Sequence, residues 1–119
     1  MAKQNVGDVI GILFYARDTA HIAHLASKSF SEHMALDDFY KGIVGLADTL
    51  CETYQGCYGL VEIKVPESKR VPALPFLRNL KAMIERERKG WFDETFLQNI
   101  LDEIQQLVAT TIYKLENLK

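Results

Sequence analysis

Hydrophobic residues along most of the chain recur at intervals of three and four, the spacing that places them on one face of an α-helix. Four such stretches follow one another, and Ser, Gly and Pro residues separate them. Only Tyr58 to Val65 shows a strand-like pattern. The pattern therefore predicts an all-α domain of four helices.

The first two helices are predicted from their ends as well as their faces. The first should run from Val6 to Ser27, where a Ser-Lys-Ser turn breaks it. Ser29 and Glu32 have the spacing of a capping box, which opens the second helix, and Gly56 should end it. Two long helices joined by so short a turn are expected to pack antiparallel.

The second half of the chain predicts a long connection and two more helices. Cys57 to Pro72 reads as a crossover that spans the length of a bundle. A third helix should open between Pro72 and Pro75 and stop at Gly90, and Asp93 should cap a fourth. One long crossover between the second and third helices is typical of the ferritin-like four-helix bundle. Residues 1–119 are thus expected to form a single ferritin-like domain.

Composition limits the possible partners and location. The chain has 119 residues, 48% hydrophobic and 25% charged, which suits one domain. A net charge of -2 without a basic tract does not support DNA binding. Asp8 interrupts the first apolar stretch, which is too short to cross a membrane, so a cytoplasmic protein is predicted. Cys51 and Cys57 are then expected as reduced thiols, one in the core and one at the surface.

The histidines carry the first chemical signal. All three, His21, His24 and His33, lie within thirteen residues around the first turn. Imidazole nitrogen together with carboxylate oxygen suits iron, zinc or manganese better than calcium or magnesium. The helical period puts His24 near the centre of the first apolar stripe and His21 nearer its edge.

The carboxylates of the second helix carry the second signal. Asp37, Asp48 and Glu52 share a face with His33, within an arc of about 100° beside the apolar stripe. About 16 Å separates Asp37 from Asp48 along the helix axis, so one chain cannot close a mononuclear site with both. The pattern predicts a site that a second chain completes across a two-fold interface.

The run from His21 to Gly56 resembles the first two helices of the Dps proteins, dodecameric mini-ferritins whose ferroxidase centre lies between two subunits. Their pattern is a histidine pair three residues apart, Phe-x-x-His opening the second helix, an acid four residues on, and Asp-x-x-x-Glu eleven residues later. The small Dps-like proteins of tailed phages are the nearest likeness. The matching positions here are His21, His24, Phe30, His33, Asp37, Asp48 and Glu52.

The resemblance implies a ferroxidase that oxidises Fe(II) with oxygen or peroxide, sequesters iron and protects against oxidative stress. It implies His24, His33 and Asp37 from one chain and Asp48 and Glu52 from another as ligands and catalytic residues. Iron would be the metal, with another first-row divalent ion as the alternative. The assembly would be a homodimer at least, or a dodecameric cage.

Three departures from the family pattern leave alternatives open. The loop before the second helix is shorter, so His21 stands as an alternative to His24 as ligand. Leu25 occupies the position of a usual Trp, and the lysine-rich tail is absent, since only Lys3 is basic in the first five residues. The rival function is a non-enzymatic ferritin-like interaction protein, of a phage and its host, with an inert metal site.

Overall fold

A computed structural model describes residues 5–67 and 69–119 of the chain. Over these ranges the protein is all-helical and contains no strand, so the predicted all-α class is confirmed. None of the described helices is both long and apolar enough to cross a bilayer. Lys3, the one basic residue of the first five, and Ser68, one position of the predicted crossover, lie outside the described residues. The elements are α1 (Val6–Ala26), α2 (Phe30–Tyr58), α3 (Ala73–Glu87), a 3-10 turn (Arg88–Gly90) and α4 (Thr95–Asn117).

Helices α1 and α2 pack side by side and antiparallel, as the short turn predicts. The predicted apolar stripe of α1 is buried from Val6 to Ala20 and meets the stripe of α2. Cys51 belongs to this core and Cys57 is exposed, as expected, and both are free thiols. The fully buried large side chains of the two helices are Val9, Ile10, Leu13, Leu36, Phe39, Ile43 and Leu50.

The end of α2 corrects one prediction. The helix passes Gly56 and continues to Tyr58, and Gly59 takes a positive φ of 91° beyond it. A glycine inside a helix costs only about 1 kcal/mol, so Gly56 does not by itself stop the helix. Gly59 does so because its backbone conformation is one that other residues rarely adopt.

The connection between α2 and α3 runs along α1. A Cβ atom added at Gly7 would overlap the carbonyl oxygen of Glu62, and one added at Gly11 would overlap that of Lys64. Further on, the connection reaches the other end of α1, where Val71 lines a shallow cavity with Ala23 and Ala26. Because the connection spans the bundle, α3 starts at the end where α2 starts, and the two helices run parallel.

Helix α4 returns antiparallel and packs on both α2 and α3. The predicted cap at Asp93 is wrong, since α4 begins at Thr95 and Glu94 occupies the N-cap position without a capping side-chain bond. The Glu94 carboxylate instead accepts a hydrogen bond of 2.6 Å from the Tyr58 hydroxyl at the end of α2. Helical structure after α3 does reach Gly90, as predicted, but its last turn is 3-10.

Candidate metal site

The turn between α1 and α2 holds two of the predicted ligands close together. The hydroxyl oxygen of Ser29 accepts a hydrogen bond of 3.3 Å from the Glu32 N–H, which is the first half of the predicted capping box. The Ser29 N–H donates to the Ser27 hydroxyl at 3.1 Å rather than to Glu32. These bonds fix a turn short enough to bring the last turn of α1 against the first turn of α2.

His24 and His33 are joined by reciprocal hydrogen bonds across this turn. The Nδ1 of His24 lies 2.6 Å from the carbonyl oxygen of His33, and the Nδ1 of His33 lies 3.0 Å from the carbonyl oxygen of His24. The two rings stack with their centroids 3.6 Å apart. Since a carbonyl oxygen only accepts, each Nδ1 must carry the proton. In this tautomer the neutral form of each ring has its free lone pair on Nε2, the atom available to a metal.

Tyr40 extends the histidine pair into a small aromatic cluster. Its ring stacks on His21, with centroids 4.2 Å apart, and meets the ring of His24 edge-on at 5.3 Å. His24 is buried, with 6% of its surface exposed, whereas His21 is exposed. The helical period predicted this difference, and it makes His24 the histidine of α1 that is held in place. The sequence did not predict that Tyr40 contacts the histidines, because in the sequence it is one of the regularly spaced apolar residues of α2.

Asp37 lies beside this cluster, and each of its two carboxylate oxygens has one hydrogen-bond partner. Its Oδ1 accepts from the Tyr40 hydroxyl at 2.9 Å, and its Oδ2 lies 2.9 Å from the Lys41 ammonium. The bond from Lys41, followed by that from Tyr40, holds the pKa of Asp37 below its ordinary value. The pKa of Lys41 and that of Tyr40 are both raised by the same carboxylate. Asp37 is thus an anionic acceptor whose charge Lys41 already balances.

Asp48 and Glu52 lie farther along α2 and are both exposed. Beside them Cys51 is buried, and burial first, then these two carboxylates, raises the pKa of its thiol. His24 and His33 are in contact, but over residues 5–67 and 69–119 no group of three or more His, Cys, Asp or Glu side chains is arranged to hold a metal ion. One chain thus offers an imidazole pair and, separately, an exposed acid pair.

Comparison with known proteins gives one match. A protein-family model described as a family of unknown function (DUF5856) matches residues 24–115, which include both histidines of the pair and the acid pair. No curated protein and no solved structure matches significantly.

Proposed function

The chain belongs to the family of unknown function DUF5856, and we propose that it is a Dps-like iron-binding ferroxidase whose metal site is completed by a second copy of the chain. The arrangement of the four helices supports this proposal. Helices α1 and α2 are antiparallel, the connection runs along α1, and α3 and α4 form the second antiparallel pair. That order, with α2 and α3 parallel, is the one that a ferritin-like bundle requires.

The observation that carries the proposal is the reciprocal bonding of His24 and His33. Metal-binding histidines in proteins commonly donate their second ring N–H to a carbonyl oxygen, which fixes the tautomer and the ring orientation. Both imidazoles have such a partner here, at 2.6 and 3.0 Å. Two neutral Nε2 donors at the turn are a suitable part of a site for a first-row metal.

The missing oxygen ligands would come from the acid pair of the second copy. His33 and Asp48 are fifteen residues apart on one helix, or about 22 Å, so the pair cannot reach the histidines within one chain. Both acids are exposed, as residues that meet a partner should be. Asp37 would join the site by exchanging its Lys41 contact for the metal, since the carboxylate is already ionised.

Iron is the substrate in this proposal. Two Fe(II) ions each lose one electron, and one hydrogen peroxide takes up both electrons and two protons to give two waters. Dioxygen is the alternative oxidant. The residues of the chain bind and orient the ions and balance their charge, while the electrons are supplied by the iron itself. Consumption of peroxide and sequestration of iron would protect the cell against oxidative damage.

An anaerobic Fe(II) titration by calorimetry tests the proposal. The wild-type protein, stripped of metal, should bind Fe(II) saturably, and Asp48→Ala/Glu52→Ala should lose that binding. Asp93→Ala/Glu103→Ala is the matched control, because it removes two exposed carboxylates that the proposed site does not use. Equal binding in the wild type and the Asp48/Glu52 variant would overturn the two-chain site, and no binding in either would overturn the ferroxidase.

A second candidate function has its own support. Leu25, Phe30 and Met34 are 71%, 79% and 42% exposed around the same turn. Such a concentration of exposed apolar side chains is more typical of a protein interface than of a solvated surface. If no iron binds, we infer that the chain is a non-enzymatic ferritin-like interaction protein. In that case the Asp37 carboxylate stays bonded to Lys41 and Tyr40 and binds no metal.

A further inference from the structure

The connection after α2 has the spacing of an extended chain where it meets α1. The carbonyl oxygens of Glu62 and Lys64, two residues apart, reach Gly7 and Gly11, which are about 6 Å apart along the helix. Residues 60–65 read Leu-Val-Glu-Ile-Lys-Val, a composition rich in strand-forming residues. Leu60, Ile63 and Val65 are 91%, 39% and 49% exposed. No strand lies beside this segment over the ranges that the structure describes. A strand-forming segment with exposed apolar side chains and no neighbouring strand is a surface for β-pairing.

The contacts with α1 fix which main-chain groups face outward. The carbonyl groups of Glu62 and Lys64 are directed at Gly7 and Gly11 of α1. In an extended chain the N–H and C=O groups of alternate residues point to opposite edges. The groups of Val61, Ile63 and Val65 therefore point away from the helix. Pro66, which has no N–H to donate, belongs to the set that faces α1 and does not interrupt the outer edge.

Little else occupies that outer edge. In the described part of the chain, one hydrogen bond reaches it, from the Val61 N–H to the side-chain oxygen of Gln55 at 3.1 Å. Among residues 5–67 and 69–119, the N–H groups of Ile63 and Val65 and the carbonyl groups of Val61 and Ile63 have no hydrogen-bond partner. These are donors and acceptors in the alternation that an antiparallel strand requires.

We propose that this edge pairs with the same segment of a second copy, antiparallel about Ile63, in a two-stranded ladder across a two-fold axis. Ile63 then lies opposite itself, and Val61 lies opposite Val65 of the second copy. Glu62 lies opposite Lys64 of the second copy, in the non-hydrogen-bonded position where side chains approach most closely. One face of the ladder is apolar and the other carries two ion pairs.

The charges select this register over its neighbours. The ladder forms only if residues whose main-chain groups point outward lie opposite each other. These residues have odd numbers, so the register can shift only in ways that keep odd-numbered residues opposite odd-numbered residues. The adjacent registers would place Glu62 opposite Glu62 or Lys64 opposite Lys64. Like charges directly opposite destabilise a strand pair, whereas the register about Ile63 pairs opposite charges twice. This charge complementarity is what identifies a second copy of the chain as the occupant.

None of the residues of the ladder is a proposed iron ligand. The paired segment lies against Gly7 and Gly11, and His24 is thirteen residues farther along α1, or about 20 Å. The pairing therefore uses none of the proposed iron ligands. Iron binding is tested by substitution of Asp48 and Glu52 and the ladder by substitution of Glu62 and Lys64, so failure of one proposal is distinguishable from failure of the other.

Charge reversal with sedimentation analysis tests the register. Glu62→Lys and Lys64→Glu, each alone, should weaken self-association about tenfold or more, because two opposite-charge pairs become two like-charge pairs. The double exchange Glu62→Lys/Lys64→Glu should restore it. An equimolar mixture of the two single variants should form the mixed dimer, since each chain then meets the charge it lacks. Unchanged association in both single variants, or a wild-type chain that is monomeric at submillimolar concentration, would overturn the proposal.

A cross-link tests the pairing directly. In a Cys57→Ser background, Ile63→Cys should oxidise to a disulfide-linked dimer, because hydrogen-bonded antiparallel pairs hold their Cα atoms about 5.5 Å apart, within disulfide reach. Leu60→Cys is the matched control, more exposed but distant from its own copy in this register. Equal cross-linking at both positions, judged on folded protein by circular dichroism, would refute the ladder.

Discussion

Gly11 is where α1 and the connection come closest, and Gly11→Ala is expected to destabilise the protein. The added Cβ would overlap the Lys64 carbonyl oxygen and crowd the next main-chain nitrogen, that of Val65. These are backbone atoms, so no side-chain rotation relieves the contact. Overpacking of this kind costs about 1–3 kcal/mol. Alanine is about 1 kcal/mol better than glycine inside a helix, which leaves a net loss of about 1 kcal/mol in the free energy of unfolding.

Gly45→Ala is the matched control for this change. Gly45 lies inside α2, and a Cβ there meets nothing within 4 Å, so only the helix propensity changes. The free energy of unfolding should rise by about 1 kcal/mol. Urea unfolding followed by circular dichroism would then separate the two variants by about 2 kcal/mol. If Gly11→Ala proves as stabilising as Gly45→Ala, the connection does not pack on α1, and the orientation of its outer edge has no basis.

Three further predictions concern hydrogen bonds at helix ends and on α2. Ser29→Ala should lower the free energy of unfolding by about 1 kcal/mol through loss of the cap on α2, measured by thermal melting. The hydrogen bonds from Lys41 and Tyr40 lower the pKa of Asp37 from its ordinary value of 3.8. The ionised carboxylate therefore stabilises the folded protein fully above pH 3.8, and this stabilisation is lost as the pH falls below that value. The urea midpoints of the wild type and Asp37→Asn should therefore converge in acid, and a constant difference would contradict this. Glu94 raises the pKa of Tyr58 to about 12, so Tyr58→Phe should abolish the latest phenolate transition in the ultraviolet absorbance, and an unchanged titration would refute the bond.

The sequence predicts the helices well because their apolar spacing is regular. It also places His24 in the core and His21 outside it, since a helix of known period has a known inner face. Helix ends are harder. Nothing in the sequence distinguishes Gly56 from Gly59 as the end of α2. Only the structure shows that Gly59 is the one with a non-helical backbone conformation. Asp93 fails as a cap because α4 begins at Thr95, which puts Glu94 rather than Asp93 at the N-cap position.

The candidate site is harder still to predict, because its details depend on contacts between elements. The clustering of His24 and His33 follows from their spacing around a short turn. Their reciprocal bonds do not, since they depend on how closely that turn brings two carbonyl groups to two rings. The Lys41 contact of Asp37 follows from i,i+4 spacing and could have been foreseen. The hydrogen bond from Tyr40 could not, because a tyrosine on an apolar stripe gives no sign of where its hydroxyl lies.

The glycines of α1 also limit the number of copies that can associate through the connection. A free strand has two edges, and a strand that pairs at both can extend into an open sheet and then a fibre. Here α1 covers one edge of the segment at Gly7 and Gly11. Pairing with a second copy would cover the other edge, so neither edge could then bind a third copy. An association through this segment closes at two chains. The close contact that requires glycine at positions 7 and 11 thus also protects the strand-forming segment from aggregation.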